Sequence, residues 1–280
     1  MDERPIGVFD SGLGGLTAVR RLRQVLPGED IVFLGDTGRV PYGEKSAATI
    51  RRYASEDMGF LLGRNVKAVV VACGTVSSIA LHTLTDRGVP VVGVVAPAAR
   101  KAASLTKNGR VGITGTAAAI RAGAYVAALK ARSPMSESLA VACPMFVPLI
   151  ERGDTEPGSR MLETALEEYL TPIRAFGADT LILGCTHYPL IARAISAFVG
   201  SGVQLVDVAA EAVDEIKNIL TRQGALAERE RPGSLRCWVT DSPGRFAALA
   251  GNFLTGPDTL LVRQTALGKV EGVEQEKEKI

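Results

Sequence analysis

Apolar and polar positions switch between two periods along this chain. Nearly continuous apolar runs at residues 6–9, 30–34, 66–72 and 90–95 read as strands, in the pattern of parallel strands covered on both faces. Between them, residues 12–26 read as a loop opening an amphipathic helix. Residues 46–62 read as a helix capped by Ser46, and about 76–85 as a third helix. The series then restarts. Strands are predicted at 110–114, 139–142, 180–184, 204–206 and 236–240, with helices at 117–131, 163–176, 189–198 and from Asp207 through 220. Such alternation implies right-handed crossovers and a doubly wound α/β fold. Residues 269–280, with three Lys and four Glu, read as a solvated, frayed tail.

One context occurs twice. A buried strand, Val69-Val70-Val71-Ala72, runs into Cys73, with Thr75 next but one and a helix beyond. A second, Leu181-Ile182-Leu183-Gly184, runs into Cys185 and Thr186, again with a helix beyond. Open α/β sheets bind ligands at the carboxyl ends of their strands, and a helix N-terminus lowers a thiol's pKa. The repetition predicts two similar α/β units facing each other across a ligand cleft. Two thiols on opposite sides of a small substrate suit abstraction of a proton from one face of a carbon and its return to the other. That chemistry needs no metal and no organic cofactor. His187, two residues after Cys185, is placed to serve as a proton partner. Asp10 and Ser11 stand at the end of the first strand, where they read equally as helix cap or as cleft carboxylate and hydroxyl.

Composition narrows the alternatives. A hydrophobic fraction of 46% argues against disorder, and a formal net charge of +2 gives no reason to expect nucleic acid or an anionic membrane as partner. The longest apolar stretch, 89–99, is too short to span a bilayer. No basic segment leads into a hydrophobic one at the N-terminus, so a cytoplasmic location is expected. The four cysteines include no C-x-x-C pair, which disfavours a disulfide framework, a zinc site and thiol–disulfide exchange. Cys143 and Cys237 read as small buried hydrophobes, and His82 as a structural residue within a helix. Gly12-Leu13-Gly14-Gly15 has Thr17 where a dinucleotide fingerprint needs its third glycine, so the loop is expected to permit tight turning and close approach of small ligand groups.

Several motifs in register then carry a resemblance. Gly7-Val8-Phe9-Asp10-Ser11-Gly12-Leu13-Gly14-Gly15, Gly35-Asp36-Thr37 with Pro41-Tyr42-Gly43, Cys143-Pro144-Met145-Phe146-Val147-Pro148-Leu149-Ile150-Glu151, and Leu183-Gly184-Cys185-Thr186-His187-Tyr188-Pro189-Leu190 resemble the glutamate racemase family from about Ile6 to Val262. The resemblance implies a cofactor-independent enzyme supplying D-glutamate for peptidoglycan, commonly a homodimer, with its site between two α/β domains. Those domains would be residues 1–97 with 207–265, and 98–206, leaving 266–280 as the charged tail. Cys73 and Cys185 would be the acid/base pair, Asp10 assisting the first, and His187 with Glu151 the second. Ser11, Pro41, Tyr42, Gly43, Gly74, Thr75, Thr116 and Thr186 would surround the substrate.

Two departures from the family pattern are visible. The family usually has Cys-Asn-Thr at the first thiol and this chain has Cys73-Gly74-Thr75, while Ala119 stands where a substrate-binding threonine is common. A lost hydrogen bond costs on the order of 1 kcal/mol. Glycine is expected to leave room for a compensating water or side chain; if the missing amide is instead a deficit, Gly74→Asn is expected to tighten glutamate binding. The alternatives are an aspartate racemase, a related two-cysteine isomerase, or a ligand-binding homologue with weakened catalysis.

Overall fold

A computed structural model describes residues 1–229, 231–254 and 260–268, so most of the expected charged tail lies outside the described residues. Its strands form two parallel sheets. Strands β1 (Ile6–Asp10), β2 (Ile31–Gly35), β3 (Ala68–Val71) and β4 (Val91–Gly93) belong to the first. Strands β5 (Arg110–Gly115), β6 (Glu137–Ala142), β7 (Thr180–Leu183) and β8 (Gln204–Asp207) make up the second. The chain then returns to the first sheet with β9 (Leu235–Val239) and β10 (Val262–Gln264), giving the orders β10-β9-β2-β1-β3-β4 and β6-β5-β7-β8. The α/β class and its two-unit organisation are therefore as the hydrophobic pattern predicts.

Residues of β1, β2 and β3 are buried along their whole length, because helices cover both faces of the sheet. Those helices include α1 (Leu16–Val25), α2 (Ala47–Leu62) and α3 (Gly74–Ile79). Ser46 caps α2 as expected, its hydroxyl accepting the Thr49 N–H at 3.2 Å. Where the sequence reading extended a strand to residue 95, helix α4 (Val95–Leu105) instead begins at Val95. Pro97 falls in its first turn, where no intrahelical N–H is needed. The single helix expected at 117–131 is two, α5 (Ala117–Ala122) and α6 (Ala124–Arg132), split by Gly123 at φ +67°.

Three further elements escaped the periodicity because each is short: α7 (Phe146–Arg152), then α11 (Pro243–Ala250), and β10. Between them the chain forms α8 (Arg160–Phe176), α9 (Ala192–Val199) and α10 (Val208–Arg222), the last capped by the Asp207 carboxylate. No helix of the described residues is long and apolar enough to cross a membrane.

Candidate active site

The carboxyl ends of β1 and β3 from the first sheet, and of β5 and β7 from the second, open onto one cavity of about 820 Å³. Every residue that the sequence reading placed at the site borders this cavity. Cys73 ends the segment after β3 as the N-cap of α3, and its thiol donates to Ser11 Oγ at 3.4 Å. Cys185 follows β7 in the second half. Its Sγ lies 3.8 Å from His187 Nδ1, and His187 Nε2 lies 3.0 Å from Glu151 Oε1 on α7. The result is a thiol–imidazole–carboxylate chain running from the cavity wall to a half-exposed acid.

The two halves are stitched together at the cleft floor. Thr186 Oγ1 donates to Asp10 Oδ2 at 3.3 Å, and the hydroxyls of Thr75 and Thr116 share a hydrogen bond of 2.9 Å. A Cβ at Gly14 would come closer than 3.0 Å to Thr186 Oγ1 and the His187 ring. The glycine loop thus permits close approach as expected, but what approaches is the opposite half of the protein. Asp10 itself accepts the Gly12 N–H at 2.8 Å, as a loop cap would, while its second oxygen receives Thr186.

Burial pushes the Cys73 thiol up to about 12, helped by the neighbouring Asp10 charge and opposed by its hydrogen bond with the Ser11 hydroxyl and by backbone N–H groups. The expectation that a helix end brings this thiol toward neutrality therefore fails. Helix α3 has only six residues, too few aligned dipoles to outweigh desolvation. After Cys185 the chain forms a 3-10 turn at Tyr188–Ile191 before α9 begins. Burial raises Asp10 above the usual carboxylate range, although the His187 charge and its hydrogen bonds oppose this. Burial also opposes charge on His187, but hydrogen bonds to Cys185 and Glu151, with the Asp10 charge nearby, carry its pKa up to about 10. The His187 hydrogen bond holds Glu151 below its ordinary value, and Arg245 adds to that effect.

Gly74 corrects a second expectation. The space beside it is occupied: a Cβ there would stand closer than 3.0 Å to the Gly184 carbonyl oxygen. Tyr42 borders the cavity, yet its hydroxyl points to the Asp36 and Asp57 carboxylates, and Arg39 closes this buried cluster with ion pairs to Asp36, Asp57 and Glu56. The sequence reading gave Arg39 and Asp57 no role. The available signal was Asp57 itself, a carboxylate on the buried face of α2 among Ala54, Met58 and Leu61.

Cys143, set aside as filler, is buried but lies on the cavity wall, where Tyr188 holds its carbonyl at 3.1 Å. Cys237 lies within β9 in the core. His82 is exposed on a 3-10 turn at Leu81–Thr83 rather than within a helix. Among the described residues no group of three or more His, Cys, Asp or Glu is arranged to hold a metal ion.

Residues 14–216 match the family model described as Asp/Glu/Hydantoin racemase. A glutamate racemase from Geobacter metallireducens is 44% identical over 257 residues, covering 91% of this chain and 94% of that one. The crystal structure of the Francisella tularensis glutamate racemase in complex with D-glutamate superposes with a TM-score of 0.87 at 35% identity, over 95% of this chain and 98% of that one. The Thermus thermophilus glutamate racemase, solved with β-chloro-D-alanine, gives a TM-score of 0.85 at 42% identity, over 96% and 100%.

Proposed function

The chain belongs to the Asp/Glu/hydantoin racemase family, and from that premise we propose that it interconverts L- and D-glutamate by proton transfer between two cysteines. One observation carries this reading: Cys73 and Cys185 line the same cavity from separate sheets, each with its own acid–base neighbours. Cys73, raised by burial and by Asp10, begins a cycle as proton donor. Cys185, backed by His187 and Glu151, takes the Cα proton, and the bonding pair moves into the carbanion conjugated with the α-carboxylate. Cys73 then gives its proton to the opposite face, so the carbon is inverted and the two sulfurs exchange roles. Ser11, Thr75, Thr116 and the Tyr42–Gly43 turn line the cavity and are the groups that would meet the substrate carboxylates and their developing charge, while the Thr186 hydroxyl donates to Asp10. The buried Arg39–Asp36–Asp57 cluster fixes the Tyr42 turn from behind.

The proposal extends to a peptidoglycan role and to a homodimer in the cytoplasm, a reducing compartment that keeps the four free cysteines as thiols. The distribution of strands supports dividing the chain into residues 1–97 with 207–265 and residues 98–206. The test is incubation of purified, reduced protein with each glutamate enantiomer in D₂O, following Cα deuteration by NMR and inversion by a chiral assay, with aspartate alongside. Inversion of glutamate both ways with deuterium uptake is the expected result. Preferential turnover of aspartate would move the assignment to an aspartate racemase. Inertness toward both in folded protein would leave a ligand-binding homologue.

A further inference from the structure

Five consecutive residues, 40–44, form one wall of the cavity on the loop between β2 and α2. Val40, Pro41 and Glu44 are exposed, and of this stretch only Tyr42 is buried. In front, the turn meets the second half of the protein at Thr116, whose Cβ lies 3.5 Å from where a Gly43 Cβ would stand. Behind, its hold on its own half is the Tyr42 ring. What the Tyr42 hydroxyl meets therefore decides where the turn sits.

The protons at that hydroxyl can be counted. Tyr42 Oη lies within hydrogen-bond distance of Asp36 Oδ2 and, at 3.2 Å, of Asp57 Oδ2. Burial and the two carboxylates hold the phenol proton on, and a phenol has one proton to give. Asp36 takes it. Asp36 Oδ2 also accepts Arg39 Nε at 2.6 Å, and Oδ1 accepts the Thr240 hydroxyl at 2.8 Å, so the side-chain partners of this carboxylate are all donors, as an ionised acid requires. Asp57 differs between its two oxygens. Oδ1 accepts Arg39 Nη2 at 3.0 Å, whereas Oδ2 faces a phenol oxygen whose proton is already committed. That contact is a hydrogen bond only if Asp57 Oδ2 carries a proton and donates it to Tyr42. The charges agree. Asp36, Asp57 and Glu56 share one cation, Arg39, and the side chains of Asp36 and Asp57 are 0% and 1% exposed. Burial and the Asp36 charge push Asp57 well above the usual carboxylate range, although Arg39 opposes them.

We infer that Asp57 is a positioning residue for the substrate, a neutral acid whose donated proton completes the anchor of the Tyr42 turn. The inference deepens the glutamate reading above and rests on it, since that reading assigns the turn to the substrate carboxylates. Without the donor, a buried phenol lone pair and an Arg39 N–H lose their partners, and the turn leaves the cavity wall in part of the free enzyme. One net hydrogen bond corresponds to about a tenfold change in such an equilibrium. Substrate then binds only the fraction with the turn in place, which raises KM for both enantiomers. Saturated enzyme has the turn seated and keeps its kcat.

The experiment compares wild type, Asp57→Asn and Asp57→Leu. Asparagine has a carbonyl for Arg39 and an N–H for Tyr42 Oη, so it copies the neutral acid. Leucine joins Met58 and Leu61 on the buried face of α2 and offers neither. Racemisation is followed over a range of L- and D-glutamate concentrations. Asp57→Leu is expected to raise KM roughly tenfold for both enantiomers with kcat nearly unchanged, and Asp57→Asn to recover the wild-type KM. A wild-type KM in Asp57→Leu, a loss confined to kcat, or a KM in Asp57→Asn as high as in Asp57→Leu overturns the inference. Infrared difference spectra of wild type against Asp57→Asn near neutral pH read the proton itself. The carbonyl stretch of a protonated carboxyl, shifted in D₂O, is expected in wild type and missing in Asp57→Asn. Its absence from wild type overturns the inference, and this result stands even where Asp57→Leu does not fold. A wild type that racemises no glutamate sinks the substrate reading; an acid band that persists there shows the proton in place and locates the failure in the substrate assignment.

Discussion

The two thiol half-sites share a backbone address and differ in proton chemistry. Cys73 and Cys185 both follow a central buried strand and open onto one cavity. Cys73 has a hydroxyl at 3.4 Å and a buried carboxylate nearby, surroundings that hold its proton on, up to about 12. Cys185 has an imidazole at 3.8 Å, itself bonded to Glu151 and able to stay protonated up to about 10. Repeated topology therefore fixes where each thiol sits, while the polar groups that surround it differ between the two halves. For a racemase the asymmetry is allowed. The enantiomers have equal free energies in water, so kcat/KM must be equal in the two directions whatever the two bases are. The difference between halves can show in the separate kcat and KM values for the two enantiomers and in exchange without inversion.

Replacing a thiol breaks the comparison most severely. Cys73→Ser or Cys185→Ser is expected to lower inversion on the order of 10³-fold in both directions, within the range of a lost acid–base group. Chiral chromatography reads this directly, and wild-type-like turnover in either variant would end the two-thiol account. Next, His187→Asn acts on one half only. Inversion should fall roughly 100-fold equally in both directions, whereas same-face deuterium exchange should fall for one enantiomer and persist for the other. Equal loss of exchange for both enantiomers would mean that His187 serves the whole site rather than Cys185.

Asp10→Asn sharpens the other half. It removes a charge that helps hold the Cys73 proton, so alkylation of Cys73 should titrate below about 12. Each unit of that shift gives about tenfold more thiolate at a fixed pH. Peptide mapping after iodoacetamide labelling follows it, and an unmoved profile would remove Asp10 from the account. The smallest effect is on stability. Folding raises His187 from 6.5 to about 10, so the folded protein holds a proton that the unfolded chain releases. This contribution is whole below pH 6.5 and is lost as pH rises through about 10. Urea midpoints should decline between pH 7 and pH 9.5 (about the span of that shift) more steeply in wild type than in His187→Asn.

Much of this arrangement was legible in the sequence, because parallel strands buried on both faces announce themselves as unbroken apolar runs. The two cysteines were visible for the same reason: each ends such a run. What stayed hidden depends on atoms brought together by the fold. Gly74 reads in sequence as a missing amide with room around it, and only the Gly184 carbonyl shows that the room is taken. Asp57 and Arg39 sit apart along the chain and meet behind Tyr42. The length of α3 mattered more than its presence, since six residues do not offset the desolvation of Cys73. Cys143 looked like filler because nothing local in a seven-residue helix and its approach announces a cavity wall.

The central claim, that each thiol serves its own face of the substrate, is tested most directly by same-face Cα deuteration in the two single-cysteine variants. Cys73→Ser and Cys185→Ser are each incubated in D₂O with pure L-glutamate and with pure D-glutamate. The account predicts mirror-image results: each variant exchanges one enantiomer without inverting it and leaves the other untouched, and the spared enantiomer is opposite in the two proteins. Exchange of the same enantiomer by both variants, or of both enantiomers by either, would contradict it.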